Sequence, residues 1–214
     1  HEAQEVFLDG HVRACEHCGG VPTRIRYDNW KTAVVKVLRG RDRIESERFV
    51  LLRSHYGFDS FFCQPGVEGA HEKGGVEGEI GRFRRRAFVP VPDVASMAEL
   101  NELLDRIGAA DDAQRHIGGR FITVAEHGTL DSQALQALPA EAFDPTRELS
   151  CRVDSKSRVC VRQSFYSVPI RYAGRRLLVR LGAEHLEVLD GRRVVASHPR
   201  SAHKHAEILV LDHY

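Results

Sequence analysis

Two acidic residues stand where a strand and a helix would hold a carboxylate rigidly. Asp28 directly follows the alternating run Thr23-Arg24-Ile25-Arg26-Tyr27, and Glu77 lies in the first turn of a helical stretch that follows the aromatic run Phe58 to Cys63. Carboxylates are hard oxygen ligands, and two of them on adjoining elements, aimed at one point, could bind a divalent cation between them. Taken singly, Asp28 is also a good turn or capping residue, and Glu77 a first-turn acid favoured by the helix dipole. Glu72 and Glu79 compete with Glu77; Glu79 projects about 200° around the helix from it, and spacing alone does not choose among the three. The same helix continues as Arg82-Phe83-Arg84-Arg85-Arg86, guanidinium groups that would position phosphates or form a solvated charge run. Cys15-x-x-Cys18, with His11 and His17 nearby, has the spacing of half a zinc site. No second Cys/His pair follows at finger spacing, and small core-facing residues near a helix end are the plainer reading.

The elements that must position these groups are legible in the hydrophobic pattern. Residues 2–18 carry Ala3, Val6, Phe7, Ala14 and Cys15 at near-helical spacing, and Gly19-Gly20 and Pro22 end the helix. Residues 23–27 alternate as a short strand, Ile44 to Tyr56 reads as a helix stopped by Gly57, and Phe58 to Cys63 as a second strand. Gly66 to Gly75 is a polar glycine-rich loop, and a further helix runs from Val76 to about Phe88 before Pro90 and Pro92. Helix, strand, helix, strand, helix is the order of an α/β layer fold, in which function gathers at strand ends.

The rest of the chain changes character twice. Residues 90–145 carry 3 basic and 10 acidic side chains and read as a helical connector, with Met97, Leu100, Leu103, Leu104 and Ile107 on one helix and Leu130, Leu135 and Leu138 on another. Residues 146–205 carry 13 basic against 5 acidic residues. There the runs 158–161, 165–169, 175–181, 185–189 and 194–198 are of β type, and Asp190-Gly191 marks a hairpin turn. Five such runs at close spacing predict a small antiparallel barrel. Arg171, Arg175, Arg176, Arg180, Arg192, Arg193 and Arg200 would give it a basic face for DNA, or the module would dock protein. His203, His205 and His213 in the tail are expected to be solvent-exposed.

Composition bounds these readings. The 214 residues are 42% hydrophobic and 29% charged, ordinary values for a globular chain of one or two domains. No apolar run approaches the roughly 18 residues of a membrane span, so no membrane partner is expected. Five cysteines at irregular spacing do not make a disulfide framework and suit a reducing cytoplasm. The start, His1-Glu2-Ala3-Gln4, has neither an initiator Met nor a signal-peptide pattern and reads as an internal position of a longer polypeptide.

Three ordered motifs carry a family likeness: Gly19-Gly20-Val21-Pro22-Thr23-Arg24-Ile25-Arg26-Tyr27-Asp28-Asn29-Trp30-Lys31, then His55-Tyr56-Gly57-Phe58, then His71-Glu72-Lys73-Gly74-Gly75-Val76-Glu77. Together they resemble the IstA-type transposases of bacterial insertion sequences, members of the DDE transposase and retroviral-integrase superfamily with an RNase H-like catalytic core. The Tyr166-Ser167-Val168-Pro169 segment is similar to one in the small β-barrel that follows the catalytic domain in IstA-type and phage Mu-type transposases.

The resemblance implies a fold class of α/β plus β. A partial integrase-type core would occupy residues 1–92, a helical connector 93–148, a basic β-barrel 149–200 and a tail 201–214. It makes Asp28 and Glu77 the second and third acids of a catalytic triad holding magnesium or manganese, with Lys73, Arg82, Arg84, Arg85 and Arg86 positioning phosphates. The first acid lies on an earlier strand and has no counterpart here, Asp9 being a poor substitute inside a helix, so these residues alone are expected not to catalyse. DNA ends and target, a homo-oligomer on DNA and an AAA+ ATPase helper are the implied partners in a bacterial cytoplasm. A non-catalytic DNA-binding or assembly remnant is the alternative, and a metal-dependent nuclease of another RNase H-like lineage a weaker one.

Overall fold

The computed structural model describes residues 3–28, 32–37, 43–63 and 74–214; of Lys36, Val37, Arg43, Gly74, Val76 and Glu77 only the backbone is described. The chain divides into two compact units, residues 15–139 and residues 1–14 with 140–214. The first helix, α1 (Gln4–Cys18), contributes to both.

In the unit of residues 15–139, Gly19, at φ +68°, ends α1 in the left-handed region. Gly20 is required by space: a Cβ there would come 2.7 Å from Leu135 Cβ and 2.9 Å from the Gln136 carbonyl oxygen. That approach lets Val21 and Gln136 exchange backbone hydrogen bonds of 2.9 and 2.8 Å. Strand β1 (Arg24–Tyr27) follows, then β2 (Val34–Val37) and β3 (Arg43–Glu45), an antiparallel pair that the sequence pattern had not indicated. Ile44, read as the start of a helix, lies in β3. Helix α2 (Glu47–Tyr56) begins one turn later, after extended Ser46, and is closed by Gly57 at φ 73°. Its buried face is Phe49, Leu52 and Tyr56.

Strand β4 (Asp59–Phe62) pairs with β1 in parallel, from Arg24 opposite Asp59 to Tyr27 opposite Phe62. The α2 face closes over this pair as an aromatic core. The ring of Tyr27 lies 5.0 Å from Phe49, edge to face, and 5.7 Å from Phe62, and Phe49 is 6.4 Å from Phe58. Edge-to-face rings of this kind add to the burial of their apolar area. Burial pushes the Tyr27 phenol far above its ordinary value. Three helices follow: α3 (Gly74–Ala87), α4 (Met97–Gln114) and α5 (Val124–Ser132). Ser96 caps α4 by accepting from the Glu99 amide, and Thr123 with Glu126 forms a reciprocal capping box on α5.

In the unit of residues 1–14 and 140–214, the strands form two sheets. One is antiparallel and four-stranded, in the order β10 (Arg193–Pro199), β9 (His185–Asp190), β8 (Arg176–Leu181), β5 (Arg147–Arg152). The other has the order β11 (Glu207–Ile208), β7 (Ser164–Ser167), β6 (Arg158–Val161), with β11 parallel to β7. The expected barrel is therefore corrected to two open sheets. Among the described residues no backbone ladder joins the two: the first ends on β10 and on β5, whose polar sequence RELSCR hid it from the pattern, and the second on β6 and on β11, which the tail supplies. Alternate residues of these strands bury one continuous aliphatic core, including Val159, Val161, Val179, Leu181, Leu186 and Val188, each at 2% exposure or less.

Polar groups tie this unit down at two places. Glu5 of α1 is buried and receives Arg200 at 3.0 Å and Arg162 at 3.5 Å. The tail is fastened by Ser167, whose Oγ accepts from the Val210 amide at 2.9 Å and bonds His213 Nδ1 at 2.8 Å, while His198 Nε2 bonds the Ser167 carbonyl at 2.7 Å. His213 is thus half-buried and bonded, against the expectation of exposure, whereas His203 and His205 are exposed.

Candidate functional site

Asp28 is half-buried and directly follows the carboxyl end of β1. The Cys63 amide donates to the Tyr27 carbonyl at 2.9 Å, so the parallel register extends one step and both strands end on the same side. In parallel α/β arrangements the chain leaving a strand begins its next helix on that side. Glu77 is the fourth residue of α3, the helix that follows β4, and its side chain lies outside the described residues, as does all of Lys73. Among the described residues no group of three or more His, Cys, Asp or Glu side chains converges as a metal site. Cys15 is buried and Cys18 exposed, and burial raises the Cys15 thiol, opposite to what a ligating thiolate needs.

The competition among the helical acids narrows. Oε2 of Glu79 accepts from Arg82 Nε and from Arg115 Nη1, both at 3.1 Å. Glu79, whose side chain is half-exposed, thus pairs with Arg82 of α3 and Arg115 at the end of α4, and lies about 200° around the helix from residue 77. The centre of this ion-pair cluster is Asp111 of α4, 4% exposed, which accepts hydrogen bonds from Arg82 Nη2 at 2.7 Å and from Arg86 Nη1, with Arg115 Nε an ion-pair neighbour at 3.4 Å that is not hydrogen-bonded to it. The hydrogen bond from Arg82 holds the Asp111 carboxyl below its ordinary range, against the opposing effect of desolvation. Of the four arginines expected to meet phosphate, half-buried Arg82 and exposed Arg86 are paired with Asp111, and Arg84 and Arg85 are exposed. Sequence reasoning passed over Asp111, one acid among ten in its block; only the meeting of two helices singles it out.

The basic residues of the other unit also sort into two kinds. Arg180 bonds Asp144 at 2.7 Å and approaches Glu187 at 3.6 Å; Arg175 reaches Asp190 at 3.4 Å and lies over the Tyr172 ring, as does Arg171. Arg200 serves buried Glu5. Arg192 and Arg193 are exposed at the β9–β10 turn, and Arg176 is exposed on β8. The register adds a residue that the sequence did not single out: Arg152 of β5 stands directly opposite Arg176. Like charges opposite one another on one face repel, and among the described residues no carboxylate is paired with either. Further along the same two strands Glu148 faces Arg180. The outer face is therefore neutralised at one end and cationic at the other, an arrangement suited to phosphate at the cationic end.

Comparison with known proteins places these features. Residues 138–210 match the Mu transposase C-terminal domain family. The chain is 37% identical over 201 residues to the transposase for insertion sequences IS1326/IS1353 of Pseudomonas aeruginosa, a match covering 93% of the chain and 39% of the relative. It is 34% identical over 200 residues to a transposase of Aminobacter aminovorans, again 93% of the chain and 39% of the relative. It is 29% identical over 188 residues to the transposase for insertion sequence element IS21 of Pseudomonas aeruginosa, 87% of the chain and 47% of the relative. The chain spans about two fifths of the length of the first of these relatives. No helix among the described residues is long and apolar enough to cross a membrane.

Proposed function

Because this chain belongs to the insertion-sequence transposases, we propose that it carries the later part of an RNase H-like catalytic core, a helical connector and a DNA-contacting β module. In this reading Asp28 and Glu77 are two of the acids that hold divalent metal, magnesium or manganese, for cleavage of transposon ends and strand transfer into target DNA.

The observation that carries the reading is positional. Asp28 leaves the carboxyl end of a strand that runs parallel to its neighbour, and Glu77 opens the helix that follows that neighbour, while Glu79 is spent on arginines. Both residues offer the hard oxygen donors that such a metal takes. The metal, when bound, supplies an activated oxygen nucleophile and offsets charge at phosphorus. The chain's own residues do the positioning. Arg84 and Arg85 face solvent on the helix of Glu77, and Arg152, Arg176, Arg192 and Arg193 offer uncompensated cations that fix a phosphate backbone without reading bases. A homo-oligomer on paired DNA ends and an AAA+ helper belong to the same reading.

The test joins the chain to the preceding portion of the IS1326/IS1353 relative and measures end cleavage and strand transfer on terminal-repeat DNA with Mg2+. Asp28→Asn and Glu77→Gln are each expected to lower both activities by about 10³-fold or more, of the order lost when a catalytic group is removed. Full activity in either variant contradicts the reading. DNA binding with no cleavage in the unsubstituted protein would favour the non-catalytic remnant instead. For the β module, Arg152→Ala with Arg176→Ala should reduce the slope of log affinity against log salt by roughly 2.

A further inference from the structure

The helix that carries Glu77 is ill suited to hold itself in place. Gly74, Gly75, Gly78 and Gly81 fall in its first eight residues, and glycine is, after proline, the residue least favourable to a helix interior. A Cβ at Gly75 or Gly78 would meet no described atom within 4 Å, so close packing does not explain those two. What α3 has instead is a set of charged ties at its other end.

Arg82 and Arg86, one turn apart on α3, both end on the buried carboxylate of Asp111. Arg115, at the end of α4, joins Asp111 to Glu79, which lies back on α3 two residues after Glu77. Two carboxylates and three guanidinium groups therefore alternate between the helices. Charge-assisted bonds to a buried acceptor are directional and strong relative to exposed pairs. Two ties spaced by one turn oppose both rotation and sliding of a helix, which a single tie would not.

We infer that Asp111 is a positioning residue: through Arg82 and Arg86 it fixes the rotation and height of α3, and with them the place of position 77 on that helix. The inference rests on the reading of Glu77 as a metal ligand. It also divides the basic run by task, giving Arg82 and Arg86 to the protein and leaving Arg84 and Arg85 for phosphate.

The experiment uses the chain joined to the preceding portion of the IS1326/IS1353 relative, with Asp111→Asn, Asp111→Glu and Glu77→Gln, each read by amide hydrogen exchange and by Mn2+ binding through water-proton relaxation; no Mn2+ binding in the unsubstituted protein overturns the metal reading. In Asp111→Asn, exchange across residues 75–87 should accelerate about tenfold while residues 176–190 are unchanged, and the Mn2+ Kd should rise about tenfold, as when outer partners of metal ligands are removed. Asp111→Glu should return both to within about twofold. If Asp111→Asn does not fold, Arg86→Gln, which cuts one tie at a half-exposed side chain, should give a smaller change of the same sign in both. Unchanged exchange in α3 overturns the inference. So does accelerated exchange with Mn2+ affinity unmoved while Glu77→Gln abolishes binding, because the cluster would then be structural only. Mn2+ binding that survives Glu77→Gln overturns the metal reading and this inference with it, and is told apart from failure of the clamp because α3 exchange still responds to Asp111→Asn.

Discussion

In the unit of residues 1–14 and 140–214, aliphatic side chains from two sheets meet in one core, and the buried acid Glu5 is paired with Arg200 and Arg162. In the unit of residues 15–139, an aromatic core sits under β1, β4 and α2, while the helices beyond β4 are held by caps and by the arginine cluster on Asp111. The contrast separates two tasks. A module that presents a surface to a long polyanion needs a stiff base and few moving parts. In the proposed reading, a site for metal and DNA would lie between a rigid strand end and a helix whose position is set by side chains.

The largest effects that would break this contrast are core deletions. Phe49→Ala removes a fully buried ring that touches Tyr27, Phe58 and Phe62 and should cost about 3–5 kcal/mol. In hydrogen exchange the loss should appear in residues 24–62. Leu186→Ala, at 0% exposure in β9, should cost about 2–5 kcal/mol, with accelerated exchange across β8 to β10. Uniform acceleration of the whole chain in both variants would show that the two cores do not melt as separate units.

A smaller effect is expected from acid. Burial holds the imidazoles of His198 and His213 below their ordinary value of 6.5. A group with a lower pKa in the folded state is protonated first in the unfolded chain, so its contribution is complete above the unfolded value and is lost as pH falls through the folded one. Protection of the 207–210 amides, corrected for intrinsic exchange, should therefore be highest above about pH 6.5 and decline below it, and Ser167→Ala should weaken the tail at every pH. Smallest of all is Thr123→Ala, which removes the α5 capping box at a cost of about 1 kcal/mol. It should loosen α5 locally without lowering the melting temperature of the β unit.

Much of the order of elements was legible because it rests on local chemistry. Gly57 and Gly19-Gly20 stop helices where glycine takes a positive φ or admits a neighbour, and Asp190-Gly191 turns β9 into β10. What escaped depends on partners distant in the chain. Strand β5 has a polar sequence whose strand character comes from β8, and β11 forms because β7 offers it an edge. The expected barrel is instead two sheets with no strand ladder between them among the described residues. At the site, residue types singled out Asp28 and left Glu72, Glu77 and Glu79 open, the family resemblance selecting Glu77, whereas the pairing of Glu79, Arg82 and Arg86 depended on partners in the next helix, with Asp111 25 residues beyond Arg86. Arg152 gained its interest only from the register that sets it against Arg176.

The central claim is that residues 28 and 77 serve one cation. A crystal of this chain joined to the preceding portion of the IS1326/IS1353 relative, grown with Mn2+ and measured at the manganese absorption edge, tests it directly. The account predicts an anomalous peak bonded to carboxylate oxygens of both Asp28 and Glu77, at roughly 2.0–2.6 Å, the span of metal–oxygen bonds for hard divalent cations. A peak elsewhere, or two carboxylates turned to different sides of the unit, would contradict it.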